Sequence, residues 1–231
     1  MHGNFFNRTE AGRLLAVKLA RYAGYSEALV LALPRGGVPV GYEVAAALPA
    51  ALDVLVVRKL GVPGDEELAF GAIASGGLRV LNAGLVDQLE ISDRVVASVV
   101  AREQRELERR ERIFRLGRPA PVLRDRIVIL VDDGVATGST MRVAIAAVRA
   151  QHASRVVVAT PVATRTSYME LRQVADEMVS ILLPKEFLGV GQFYTDFEQT
   201  GDREVVALLN HARQNLWQHE TGALHAGSVL V

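Results

Sequence analysis

Apolar positions along the chain fall into two rhythms. Short continuous runs end in polar loops, and longer stretches carry apolar residues three and four apart. The runs at 28–33 (ALVLAL), 53–59 (DVLVVRK), 126–132 (RIVILVD), 155–162 (RVVVATPV) and 178–184 (MVSILLP) read as five buried strands. The stretches at 9–22, 38–48, 139–151 and 164–175 read as the helices between them. In the first helix Ala11, Leu15, Leu19 and Tyr22 share a face, Thr9 is the expected cap and Gly24 the stop. Strand, helix, strand over 28–59 makes one right-handed βαβ unit. The alternation predicts an α/β, Rossmann-like fold: a mainly parallel five-stranded sheet with helices on both faces.

One segment breaks the alternation. Residues 70–82 (FGAIASGGLRVLN) predict a hairpin turning at Gly76-Gly77, and 87–116 a long or broken helix closed by the GRPAP at 117–121. Seven arginines and four glutamates lie between Arg102 and Arg118. Glu106 with Arg110, Glu108 with Arg112 and Glu111 with Arg115 stand in the favourable i,i+4 order, and such a run is most often a solvated face. The 70–121 segment is therefore an expected insertion over the sheet edge, within one domain spanning 1–231. Residues 221–231 show no periodicity and receive no assignment.

Composition narrows the function classes. Half of the 231 residues are hydrophobic, enough for a sizeable core. Basic and acidic residues balance at 26 each, so nothing global favours nucleic acid or a membrane surface as partner. Cysteine is absent, which removes disulfides, thiolate metal sites and cysteine nucleophiles and suits a reducing cytoplasm. There is no basic patch followed by an apolar run at the start, and no stretch near 20 apolar residues; the expectation is a cytoplasmic protein without a signal peptide or membrane span. His2, His152, His211, His219 and His225 lack ligand spacing, so no protein-held metal site is expected.

The chemistry concentrates at 128–140, VILVDDGVATGST, where an apolar strand runs into two adjacent aspartates and a turn of small hydroxyl residues. The first amides of the following helix have no intrahelical partner, and the helix dipole favours an anion there. Gly138 permits close approach, and Thr137, Ser139 and Thr140 add hydroxyl donors, a composition suited to a phosphate monoester. Two carboxylates do not bind phosphate, but they accept hydrogen bonds from a vicinal diol beside it. A sugar phosphate presents both. No lysine follows Gly138, so the Walker pattern is not met. Two further strands deliver PRGG (34–37) and Arg58-Lys59 toward the same carboxyl edge, where ligands of parallel sheets bind.

The 128–141 motif, VILVDDGVATGSTM, resembles the signature of the type I phosphoribosyltransferases. The resemblance covers about 29–183, its first motif specific and the others, LPRGGVPVG at 33–41 and VVRKLG at 56–61, less so. It implies that Asp132 and Asp133 hold the ribose hydroxyls and that Ala136, Thr137, Gly138, Ser139 and Thr140 wrap the 5′-phosphate. Arg35, Gly36, Gly37, Arg58 and Lys59 would then meet the pyrophosphate, with Arg35, Arg58 and Lys59 serving catalysis. It further implies Mg2+ bridged by the substrate and a mobile lid, here 70–121. It also implies a hood at 184–231 in which Phe193 or Tyr194 stacks on a base. Phe5 and Phe6 could join that hood or merely pack.

The implied reaction moves the 5-phosphoribosyl group of phosphoribosyl pyrophosphate to a nitrogenous base. The partners would be those two small molecules, with room for a homodimer. RKLGVPGDEELAFGAI and VGQFYTDFEQ resemble a bacterial subgroup whose acceptor is not settled. Family members acting on 6-oxopurines commonly carry Asp where Ala136 stands, which argues against that acceptor class and resembles the adenine-type loop. The alternative is a regulator or accessory protein that senses phosphoribosyl pyrophosphate without turning it over.

Overall fold

The computed structural model describes residues 4–227, leaving out the side chains of 66, 67 and 220–227. His2 and residues 228–231 of the unassigned stretch fall outside what is described, as does the side chain of His225. The first helix, α1 (Arg8–Leu19), begins two residues earlier than predicted. Asn7 rather than Thr9 caps it, its side chain accepting from the Glu10 amide at 3.0 Å. The Glu10 carboxylate in turn accepts from the Phe6 amide, so both ends of the cap are closed.

The next elements are β1 (Ala28–Ala32), α2 (Gly37–Ala47) and β2 (Ala51–Val54). The predicted strand at 53–59 then divides. Leu55 still donates to Ala32 O at 3.0 Å, but the Val56 amide is captured by Ser75 Oγ at 2.9 Å and Ser75 N donates back to Val56 O. The chain leaves the parallel sheet here and enters β3 (Val57–Val62), which pairs antiparallel with β4 (Asp65–Ala74) and, through it, β5 (Leu78–Leu81). Arg58 and Lys59 thus stand on this second sheet. The hairpin turns at Gly76 and Gly77 as predicted, both with φ near +85°, a region that favours glycine.

The predicted long helix is two, α3 (Ala83–Gln88) and α4 (Asp93–Arg115). Glu106–Arg110 and Glu111–Arg115 form at 2.8 and 2.7 Å, whereas Glu108 accepts instead from Gln104. The helix is docked, not merely solvated. Buried Arg115 donates to Asp53 Oδ1 at 2.9 Å and to Val54 O at 2.8 Å, tying the end of α4 to β2.

The alternation resumes with β6 (Ile127–Val131), α5 (Ser139–Ala150), β7 (Arg155–Val162), α6 (Arg165–Leu171) and β8 (Glu177–Leu182). The five-stranded sheet runs β2-β1-β6-β7-β8, all parallel, so the predicted architecture stands. Strand residues alternate between two cores, as the period of two requires. Val30, Ile129, Val131 and Val157 pack with Leu15, Leu19 and Val44 on one face; Leu29, Leu31, Val128, Leu130, Val156 and Val158 pack with Met141, Ile145 and Val148 on the other.

A last helix, α7 (Asp202–Gly227), lies in the region read as hood and tail. Val205 and Leu209, four apart and fully buried, seat it on the first core. Among the described residues no helix is long and apolar enough to cross a membrane.

Candidate active site

The carboxyl ends of β1 and β6 lie side by side, because these strands pair directly from Ala28–Ile127 to Ala32–Val131. The turn after β1 therefore sits against the aspartates after β6. Gly36 is the tightest point: a Cβ there would fall 2.0 Å from Asp133 Oδ2. Gly37 is also tight, a Cβ there meeting Val131 O at 2.7 Å, and its amide donates to Leu33 O at 3.1 Å, so it supplies close approach more than a free donor. Arg35 is half exposed, with Nη1 3.5 Å from Asp202 Oδ1 at the start of α7.

The two aspartates have different surroundings. Asp132 Oδ1 accepts from the Asp133 amide at 2.9 Å. Burial, then the neighbouring Asp133 charge, hold its carboxyl well above the usual aspartate range. Asp133 Oδ2 accepts from Arg8 Nε at 2.8 Å. Arg8 also donates to Glu198 O at 2.7 Å and lies 3.9 Å from the centre of the Phe197 ring, a cation–π distance.

The hydroxyl turn is anchored from outside. Ala136 O accepts from Thr164 Oγ1 at 2.9 Å and from Ser167 Oγ at 2.6 Å, and Val135 N donates to Val162 O. Gly138, at φ +74°, then starts α5, whose first ladder bond is Arg142 N to Gly138 O. The amides of Thr140 and Met141 therefore precede the ladder at the positive end of the dipole. Thr137 Oγ1 and Ser139 Oγ lie 3.1 Å apart beside them.

Two cavities meet at this edge. One, of about 410 Å³, is lined by Pro34, Arg58, Lys59, Asp132 and Thr140 among others; Arg102 and Glu103 of α4 also face it. The other, of about 420 Å³, lies under the β3–β5 sheet and shares Lys59 and Thr140 while adding Thr137 and Ser139. The structure thus brings Asp132, Arg58, Lys59 and the hydroxyl turn to common space, whereas Gly36 and Gly37 pack against Asp133 and Asp132 and Arg35 lies by Asp202.

Phe193 and Tyr194 are both buried. Phe193 packs on Phe187, and Tyr194 on Phe5 and Phe197, with ring centroids 5.0–5.4 Å apart. Phe5 thus joins this cluster, while Phe6 is exposed. Tyr194 Oη donates to Asp133 O at 2.6 Å. Burial, and then the Asp133 charge, push its phenol further up, so it remains a donor. Val190 closes on Gly134, where a Cβ would come within 2.4 Å of its side chain.

Sequence reasoning missed Arg8, Glu103 and the Thr164–Ser167 anchor. Arg8 meets its partner 125 positions away, and no local pattern signals that. Glu103 had a signal, since it interrupts the apolar stripe Val96, Val99, Leu107, Phe114.

A parallel α/β sheet with an acidic pair, a hydroxyl-lined helix N-terminus and basic residues gathered at one edge is the arrangement that the comparisons assign to a family. The family model of the phosphoribosyl transferase domain matches residues 6–198. The chain belongs to the phosphoribosyl transferase family. It is 46% identical over 224 residues, 97% of its length, to the “Putative phosphoribosyl transferase” proteins MT0597 and Rv0571c of Mycobacterium tuberculosis strains CDC 1551 and H37Rv. It spans about half the length of those relatives, 50%. The crystal structure of TT1426 from Thermus thermophilus superposes with a TM-score of 0.76 at 41% identity, covering 89% of this chain and 97% of that one.

Proposed function

We propose that the chain transfers the 5-phosphoribosyl group of phosphoribosyl pyrophosphate to a nitrogenous base, releasing pyrophosphate. The observation that carries this reading is the close approach of Gly36 to Asp133 Oδ2, which sets the PRGG turn against the acidic pair. A diol on Asp132 and Asp133 would leave a 5′-phosphate at Thr137, Gly138, Ser139 and Thr140, with Ala136 closing the turn. The anomeric carbon would then face Arg35, Gly36, Gly37, Arg58 and Lys59.

The nitrogen nucleophile forms a bond to the anomeric carbon as the bond to the pyrophosphate oxygen breaks, with inversion. Pyrophosphate departs with the electron pair, and Arg35, Arg58 and Lys59 stabilise the charge developing there. Holding the ribose by its diol and its phosphate at once supplies orientation.

The donor set fits magnesium brought in by the substrate: Asp132 and Asp133 are hard oxygen donors beside the diol, and Mg2+ is usually held through few carboxylates plus phosphates. Asp132 or Asp133 would at most assist in holding it, and there it would supply neutralisation of the leaving-group charge. The acceptor base would meet the hood within 184–231, where Phe193 and Tyr194 are buried and Phe197 keeps the more exposed ring. The β3–β5 sheet and α4 would shield the pyrophosphate from water as the lid.

Pyrophosphate release, measured with phosphoribosyl pyrophosphate, Mg2+ and a panel of purine and pyrimidine bases, tests the assignment. Release with one base establishes transfer. Saturable binding without release across the panel assigns a sensing protein instead.

A further inference from the structure

Helix α4 places an acid where its apolar stripe should continue. Val96, Val99, Leu107 and Phe114 are buried along one face, and Glu103 stands between the second and third at the same spacing. A carboxylate is costly to bury unless it is paired. Glu103 is 6% exposed, and both its oxygens are engaged. Oε2 accepts from Arg58 Nε at 2.9 Å and from Arg58 Nη2 at 2.5 Å, while Oε1 accepts from Arg102 Nε at 3.0 Å.

Both arginines, with Lys59, line the 410 Å³ cavity whose other wall carries Asp132 and Thr140. One buried anion thus spaces two guanidinium groups, one from β3 and one from α4. For stability alone an apolar residue would serve the stripe as well. What the carboxylate adds is orientation. Its bonds use Nε and Nη2 of Arg58, and a guanidinium, with five N–H donors, keeps others for phosphate oxygens.

We propose that Glu103 is a positioning residue that sets Arg58 and Arg102 as a paired clamp for the diphosphate end of the ligand, and that Arg102 of α4 is a further pyrophosphate-binding residue. This rests on the reading that the cavity takes pyrophosphate. It makes α4 a wall of the site, held in place by the same carboxylate that aims the arginines.

The test titrates inorganic pyrophosphate with Mg2+, and separately ribose 5-phosphate, into the full chain and its Arg102→Ala, Glu103→Gln and Glu103→Ala variants by calorimetry. Net charge alone predicts that removing Glu103 tightens pyrophosphate binding. Positioning predicts the opposite sign: all three variants bind pyrophosphate about tenfold more weakly, with ribose 5-phosphate affinity unchanged. Arg102 is half exposed, so Arg102→Ala keeps the test decisive even if the Glu103 variants do not fold. Wild-type pyrophosphate affinity in Arg102→Ala, tighter binding in Glu103→Gln, or equal losses for both ligands would overturn the clamp. An unaltered chain that binds ribose 5-phosphate but no pyrophosphate would overturn the transferase reading and the clamp with it.

Discussion

Arg8 Nε lies 2.8 Å from Asp133 Oδ2, so the first turn of the first helix supplies the countercharge for an acid at the end of the third strand of the parallel sheet. The same guanidinium holds Glu198 O and covers Phe197. Residue Phe5 forms a bridge with Tyr194, whose hydroxyl bonds Asp133 O. The N-terminal segment, the hood and the acidic pair are one connected unit.

Removing Arg8 should therefore be felt by the fold. Its side chain and that of Asp133 are 12% and 14% exposed, so Arg8→Ala leaves a largely buried carboxylate beside Asp132 without its cation. We expect a loss of about 1–3 kcal/mol in urea unfolding, with part recovered when Asp133→Asn is added. A variant as stable as the unaltered chain would show that the pair carries no structural weight.

Asp132 gives the opposite sign. Burial and the Asp133 charge raise its native carboxyl above the ordinary aspartate value of 3.8. The native state then binds the proton more tightly than the unfolded chain does, so this group's contribution to stability falls as pH rises from about 4 through the raised native value. At neutral pH Asp132→Asn removes a strained charge. Its Tm should rise by about 2–4 °C, equivalent to roughly 1 kcal/mol, while ligand binding weakens. A lower Tm at pH 7 would contradict the assigned burial cost.

Gly36→Ala probes the closest contact in the site. The new methyl must displace the Asp133 carboxylate, which it would meet at 2.0 Å, and that group is the mobile end of a side chain. The expected result is a fold that survives and ribose 5-phosphate affinity reduced about tenfold or more. Unchanged affinity would mean that Asp133 does not need its observed position.

Arg35 divides the ligand. Its guanidinium lies near Asp202, and in the proposed reading it meets the pyrophosphate, so Arg35→Ala should weaken pyrophosphate binding and leave ribose 5-phosphate binding nearly intact. Matching losses for the two ligands would contradict separate subsites.

The parallel sheet was legible because its strands are continuous apolar runs, a pattern that burial on both faces imposes. The hydroxyl turn was legible as a helix start because its parts are contiguous: Gly138, at positive φ, precedes α5. What escaped depends on contacts between distant segments. The run at 53–59 is uniformly apolar from Val54 to Val57, so nothing in it marks where Ser75 draws the backbone from one sheet into another. Helix α7 carries Val205, Leu209 and Ala212 at helical spacing, a stripe readable in principle but short and flanked by polar residues. The run of charges in α4 suggested solvent, although Arg115 and Glu103 are buried through partners on β2 and β3.

Calorimetric titration of phosphoribosyl pyrophosphate with Mg2+ into the full chain and into the Asp132→Asn, Asp133→Asn double variant examines the diol grip at its source. The account requires saturable binding by the first and a loss of a hundredfold or more, roughly 2.8 kcal/mol, in a still-folded second. Equal affinity in the two proteins, or no binding by the unaltered chain, would contradict it.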